Sequence, residues 1–135
     1  MTLLTWSHHC TVGVKAMDDQ HGILMDTMNE LYLELVRGCG RKQLDAQMER
    51  LVEFSRMHFE SEERLLEQHG FPGFAEHREA HRQLLRQIRE TVDRVERMEG
   101  AALRSFLSFL RAWYSEHIEG LDQQYGAWLN EQGVY

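Results

Sequence analysis

The chain has little of what would tie it to nucleic acid, a membrane or an oxidising compartment. Acidic residues outnumber basic ones, 22 to 15, for a formal net charge of -7. No basic patch is available to neutralise phosphates, which argues against nucleic-acid binding. No stretch approaches the ~18 consecutive apolar residues of a membrane span. The first residues, Met1 to Cys10, lack a basic run followed by a long apolar one, so no signal peptide is expected. The only cysteines, Cys10 and Cys39, form no metal-type pair and no disulfide framework. Reduced thiols in a cytoplasmic protein are the simplest expectation, with a single Cys10–Cys39 disulfide left open. A Cys-x-x-Cys-His haem motif is absent. One proline, Pro72, and glycines confined to a few clusters disfavour a strand-rich fold with many turns and favour long helices.

What is present fits one domain with one core over residues 1–135, 42% of them hydrophobic. An N-terminal arm, about 1–17, has no period. Apolar residues then recur at helical spacing over about 18–37, 41–68, 74–98 and 101–130. Asp18 or Asp19 is placed to cap the first helix, and Gly38-Cys39-Gly40 stops it. Its inner stripe reads His21, Leu24, Met28, Leu31, Leu35. The second helix carries Leu44, Met48, Leu51, Ser55, His58, Glu62 and Leu65, alternating steps of four and three as packed helices do. The third carries Phe74, His77, His81, Leu84, Ile88, Val92 and Val95, after the break Gly70-Phe71-Pro72-Gly73. The fourth carries Leu103, Phe106, Leu110, Trp113, His117 and Leu121, with Tyr125 and Trp128 further on. Short links force neighbouring helices to run antiparallel, so the expected fold is all-α, an up-down-up-down four-helix bundle.

Each helix puts histidine on the stripe that should be apolar: His21, His58, His77 with His81, and His117. Glu62 joins them one turn after His58. A lone core histidine is ordinarily just hydrogen-bonded, and i,i+4 histidines such as His77 and His81 also occur on solvated faces. A buried carboxylate without a partner, however, costs several kcal/mol. Five histidines and a glutamate pointing into one bundle need a common partner, and a metal site supplies it. His8, His9 and His69 lie in the arm or near a turn and read as surface residues. Glu63, about 100° around the helix from Glu62, reads as exposed. A zincin needs His-Glu-x-x-His; His77-Arg78-Glu79-Ala80-His81 instead turns Glu79 away. Ferritin-like di-iron proteins use Glu-x-x-His, which occurs nowhere in this chain.

Four segments carry a family resemblance: Asp18-Asp19-Gln20-His21, His58-Phe59-Glu60-Ser61-Glu62-Glu63, His77-Arg78-Glu79-Ala80-His81, and Trp113-Tyr114-Ser115-Glu116-His117-Ile118 followed by Asp122. With Trp6 and Val12-Gly13-Val14 of the arm, the chain resembles the single-domain bacterial hemerythrins over essentially its whole length. The resemblance implies two iron ions bridged by an oxo or hydroxo group. His77, His81 and His117 would hold one, His21 and His58 the other, and Glu62 and Asp122 would bridge them. Asp122 lies five residues after His117, about 140° around an ideal helix. Either its side chain reaches across or the helix widens locally. Two octahedral irons offer twelve positions; five imidazoles, four carboxylate oxygens and the shared oxygen fill eleven. The vacancy falls beside His21 and His58, where dioxygen would bind reversibly, in a pocket that the resemblance assigns to Leu24, Phe59, Trp113 and Ile118. The implied role is storage, transport or delivery of dioxygen rather than enzymatic turnover, with an oxygen-consuming acceptor protein as transient partner. The alternative is a di-iron enzyme acting on peroxide, nitric oxide or ferrous iron.

Overall fold

The computed structural model describes residues 3–7, 10–38, 40–97 and 100–135, with side chains described for all of these except 95–97 and 100–103. His8, His9 and Cys39, and the core positions expected at Val95 and Leu103, therefore lie outside the described residues or side chains. The elements are α1 (Lys15–Arg37), α2 (Arg41–Gln68), α3 (Phe74–Arg97), α4 (Gly100–Glu116), a π-helix π1 (His117–Asp122) and α5 (Gln123–Glu131). The fold is all-α, a four-helix bundle in which α4, π1 and α5 follow one another as the fourth rod.

Cross-links between the rods fix their direction. Gln20 Nε2 donates to Ser61 Oγ, and further along the same pair Arg50 binds Glu30, so numbering rises on α1 as it falls on α2. Arg89 pairs with Glu49 and His77 meets Glu62, which sets α2 and α3 antiparallel in the same way. The α2–α3 turn closes on Gly70, whose φ of 68° is the left-handed conformation that a side chain would oppose. Its N–H donates to Glu67 and that of Phe71 to Leu66, satisfying carbonyls that the helix end leaves free.

The core divides into two apolar layers with a polar layer between them. Met28, Leu31, Met48, Leu51, Ile88, Phe106 and Leu110 are buried on one side, and Leu66, Tyr125 and Leu129 on the other. Burial of each large aliphatic is worth ~1.5–3 kcal/mol. Several stripe positions differ from their periodic expectation. Leu65 is half-buried where Leu66 is buried; in the fourth rod Trp113, Leu121 and Trp128 are half-buried while Tyr114, Asp122 and Leu129 point inward. Tyr114 is drawn in by a bond from its hydroxyl to the His21 carbonyl, 2.9 Å. The shifts after His117 follow from π1, which inserts one extra residue per turn.

Neither Asp18 nor Asp19 caps α1, which begins at Lys15 with Val14 at the cap position and no side-chain cap bond. Asp18 holds the arm instead: its carboxylate accepts from Val12 N at 2.8 Å and Gly13 N at 3.3 Å. Asn29 accepts from the backbone of Leu3 and Leu4, and Asn130 Nδ2 donates to the Gly13 carbonyl. Where the arm crosses α5, a Cβ on Gly126 would stand 2.1 Å from the Val12 carbonyl oxygen. Gly126→Ala should therefore cost about 1–3 kcal/mol by steric displacement of the arm, although glycine-to-alanine in a helix interior ordinarily gains about 1 kcal/mol. Gly22→Ala, where nothing lies within 4 Å, should show that ordinary gain. Urea denaturation of both variants checks the pair, and a stabilised Gly126→Ala would contradict the close crossing.

Candidate metal centre

Seven side chains from all four rods converge between the two apolar layers, each at most 5% exposed: His21, His58, Glu62, His77, His81, His117 and Asp122. Helical spacing accounts for six of them. His58 and Glu62 stand one turn apart on α2, as do His77 and His81 on α3. Asp122 is brought in by π1: it lies five residues after His117, and an i→i+5 turn returns both to the same side. Of the two routes open for Asp122, the backbone takes local widening.

The donor atoms form two groups, each within a span of 4.8 Å: Glu62, His77, His81, His117 and Asp122 in one, and His21, His58, Glu62 and Asp122 in the other. In the first, Nε2 of His81 lies 3.1 Å from Glu62 Oε1 and 3.1 Å from His117 Nε2. Asp122 Oδ1 lies 3.2 Å from His77 Nε2 and 3.1 Å from His117 Nε2. In the second, Asp122 Oδ2 is 3.1 Å from His21 Nε2, and Glu62 Oε2 is 3.4 Å from both His21 and His58 Nε2. Each carboxylate thus turns one oxygen to each group. Metal–ligand bonds of about 2.0–2.2 Å place neighbouring donors of an octahedral ion roughly 3 Å apart, which is the spacing found.

Hydrogen bonding within the cluster leaves these atoms unpaid. Both Asp122 oxygens and His21 Nε2 are buried without a hydrogen-bond partner among the described residues, despite the 3.1 Å approach of His21 to Asp122. Orphaned anionic oxygens and imidazole lone pairs facing a common point are what a pair of cations would satisfy.

Around the donors stands a ring of residues that periodicity did not pick out. His58 Nδ1 is 2.6 Å from Gln20 Oε1, and His81 Nδ1 is 3.1 Å from Glu63 Oε2. Glu63 is accordingly half-buried rather than exposed, because the His81 ring draws it inward. Tyr125 donates its hydroxyl to Glu62 Oε2 at 2.7 Å. Gln20 and Glu63 each adjoin a ligand-type residue in sequence, which is the one signal they carry. Phe59 stacks on His81, centroids 4.2 Å apart and planes within 14°, and Trp113 stacks on His117 at 5.4 Å. Both aromatics therefore lie against the three-histidine group, while Leu24 and Ile118 are buried. A groove of about 210 Å³ between α3 and the fourth rod, lined in part by Gln83, Leu84, Glu116 and Leu121, reaches the His117 ring.

A helical bundle closed around two adjoining histidine-and-carboxylate groups suited to holding metal defines the class of protein. The family model described as the Hemerythrin HHE cation binding domain matches residues 12–129, and the chain belongs to the hemerythrin family. It is 29% identical over 131 residues to a bacteriohemerythrin of Methylococcus capsulatus, covering 96% of this chain and 99% of the relative. A myohemerythrin of Sipunculus nudus is 22% identical, covering 89% of this chain and 88% of the relative. A crystal structure of a hemerythrin mutant superposes with a TM-score of 0.83 at 29% identity, covering 94% of this chain and 97% of that one.

The carboxylates also hold protons on the imidazoles. Burial lowers the pKa of His21, but Asp122 and Glu62 raise it more, to about 9; the same balance lifts His77 to about 10. Glu62, despite burial, is held well below its ordinary value by His21, His58 and His77. Because both histidines lie above the 6.5 of the unfolded chain, the stability they contribute is complete below pH 6.5 and is lost as pH rises through about 9 to 10. Metal-free protein prepared with a chelator should therefore lose thermal stability between about pH 6.5 and 10. Metal-loaded protein should instead lose it on acidification, as protons compete for the imidazoles. Melting temperatures across this range check both; an alkaline limb that is flat in the metal-free protein would contradict the proton sharing.

Proposed function

We propose that this chain binds dioxygen reversibly at a di-iron centre and serves to store, transport or deliver it in the cytoplasm, as one hemerythrin-like domain and not as an enzyme. The observation that carries the reading is the division of Glu62 and Asp122, each with one oxygen toward three imidazoles and one toward two. That division suits a bridged pair of like ions. His77, His81 and His117 would hold one iron and His21 and His58 the other. When bound, a pair of ferrous ions supplies the electrons by which dioxygen is taken up and given back. Five imidazoles, Glu62, Asp122 and a shared oxo or hydroxo group would leave such a pair one position free for dioxygen, on the side of His21 and His58.

The protein's share of the chemistry is to hold that position open and keep it dry. His58 is fixed by Gln20, so its Nε2 lone pair faces the centre. Tyr125 donates to Glu62 Oε2 and fixes the orientation of the carboxylate. Water and protons would convert reversible binding into irreversible oxidation, and the near-complete burial of the seven residues excludes both. Of the four pocket residues expected, Leu24 and Ile118 are left to line that position, while Phe59 and Trp113, stacked on His81 and His117, cover the three-histidine side. Among the described residues no helix is long and apolar enough to cross a membrane.

Purified protein should contain two irons per chain and no zinc or haem, and its oxo-bridged diferric absorption bands should bleach on reduction and return with oxygen. Metal analysis giving one metal per chain, or mainly zinc, would overturn the reading. Glu62→Gln should abolish reversible oxygen binding, because an amide cannot offer two anionic oxygens to two cations. Glu67→Gln, at an exposed position on the same helix, should leave it unchanged. Equal oxygen binding in the two variants would show that Glu62 is no bridge.

A further inference from the structure

Every imidazole that offers Nε2 to the centre has a second ring nitrogen, and these second nitrogens have unequal partners. His58 Nδ1–H donates to the neutral amide oxygen of Gln20, 2.6 Å away, and Gln20 is itself steadied by Ser61 Oγ at 3.1 Å. His21 Nδ1 is buried with no partner among the described residues. His81 Nδ1–H donates to a carboxylate, Glu63 Oε2, at 3.1 Å. The Glu63 side chain is 20% exposed, so its charge is only partly screened by water.

We infer that Glu63 is a positioning residue that orients His81 and places a fixed anion behind the three-histidine metal position and not behind the other. The inference rests on the di-iron reading above. Away from the centre two contacts hold the His81 ring: Phe59 stacked on its face at 4.2 Å and Glu63 bound at its edge. Glu63 gives the ion no donor atom, since the ring stands between them. Its effect passes through the imidazole. An anion accepting from one ring nitrogen raises the basicity of the other, and outer-shell carboxylates of this kind alter metal affinity by about 10–100-fold. Gln20 orients His58 but adds no charge. The side with all its positions filled thus receives the stronger electrostatic support for a ferric ion, and the side left open for dioxygen receives the weaker.

The test compares wild type with Glu63→Gln, which keeps a hydrogen-bond acceptor and removes the charge, and Glu63→Ala, which removes both. Gln20→Glu places an anion behind His58, and Glu67→Gln is the exposed control. Iron content, the rate at which ferrous iron is lost to a chelator, and the midpoint potential of the centre are measured for each. Glu63→Gln should load two irons, lose ferrous iron about tenfold faster than wild type and titrate at a more positive potential. Gln20→Glu should shift the potential the opposite way, and Glu67→Gln should match wild type. If Glu63→Gln matches wild type in potential and loss rate, with only Glu63→Ala impaired, Glu63 is a neutral hydrogen-bonding prop and the inference falls. Wild type that fails to take up two irons would overturn the di-iron reading itself, and the inference with it.

Discussion

Two carboxylates and five imidazoles sit in the middle of a hydrophobic core, where their charge must be met within the cluster rather than by water. Moving one carboxylate out of water costs several kcal/mol unless opposite charge accompanies it. Glu62 and Asp122 are both inaccessible to solvent, and the Asp122 oxygens have no hydrogen-bond partner among the described residues. The rest of the architecture answers this constraint. Four rods are needed to present donors from every side, and the apolar layers above and below them clamp the rods at a separation the donors can span. Gln20 and Glu63 each take up a ring nitrogen that the centre itself does not use, and Tyr125 donates to Glu62 Oε2.

Much of this was legible in the chain, because the signals were periodic. The bundle shows in four apolar stripes, and six of the seven donors fall on those stripes or one turn from a partner. Asp122 does not: its spacing from His117 belongs to no regular α-helix, and only the family resemblance supplied it. The backbone explains why. A π-turn obeys a different period, so a scan at 3.6 residues steps over it and selects Leu121. The same scan places Trp113 and Trp128 inward where Tyr114 and Leu129 are buried. Glu63 was hidden for a different reason. A charged residue at the edge of a helical face is ordinarily solvated, and only the position of His81 on a neighbouring helix turns it inward. Asp18 had all the chemistry of a helix cap, but the arm runs close enough to claim its carboxylate first.

The family match, spanning residues 12–129, begins within the arm and ends within α5. Those limits coincide with structure. Val12 and Gly13 are bound by Asp18, one turn before His21, and Gly13 is bound by Asn130 at the far end of α5. The arm thereby ties the first rod to the last on the flank where α2 and α3 do not reach. Around the centre the shielding is uneven: His117, the most accessible of the seven, borders the groove between α3 and the fourth rod. Solvent comes nearest the three-histidine side, and the side of His21 and His58, 0% and 1% exposed, is the drier one.

The π-turn does more than deliver Asp122. Buried positions along the fourth rod include 110, 114, 117 with 118, 122, 125 with 126, and 129, and the wide turn from His117 to Asp122 sets the phase of everything after it. Tyr125, Gly126 and Leu129 face inward only in that reset frame. Ligand, hydrogen-bonding tyrosine and arm crossing therefore share one reading frame. Loss of a single residue between His117 and Asp122 would rotate all three away together by about 100°, withdrawing the Asp122 carboxylate from the cluster and releasing the arm in the same event. Substitutions in this segment act one side chain at a time, whereas a deletion acts on a whole face, so chain length there is under tighter constraint than composition.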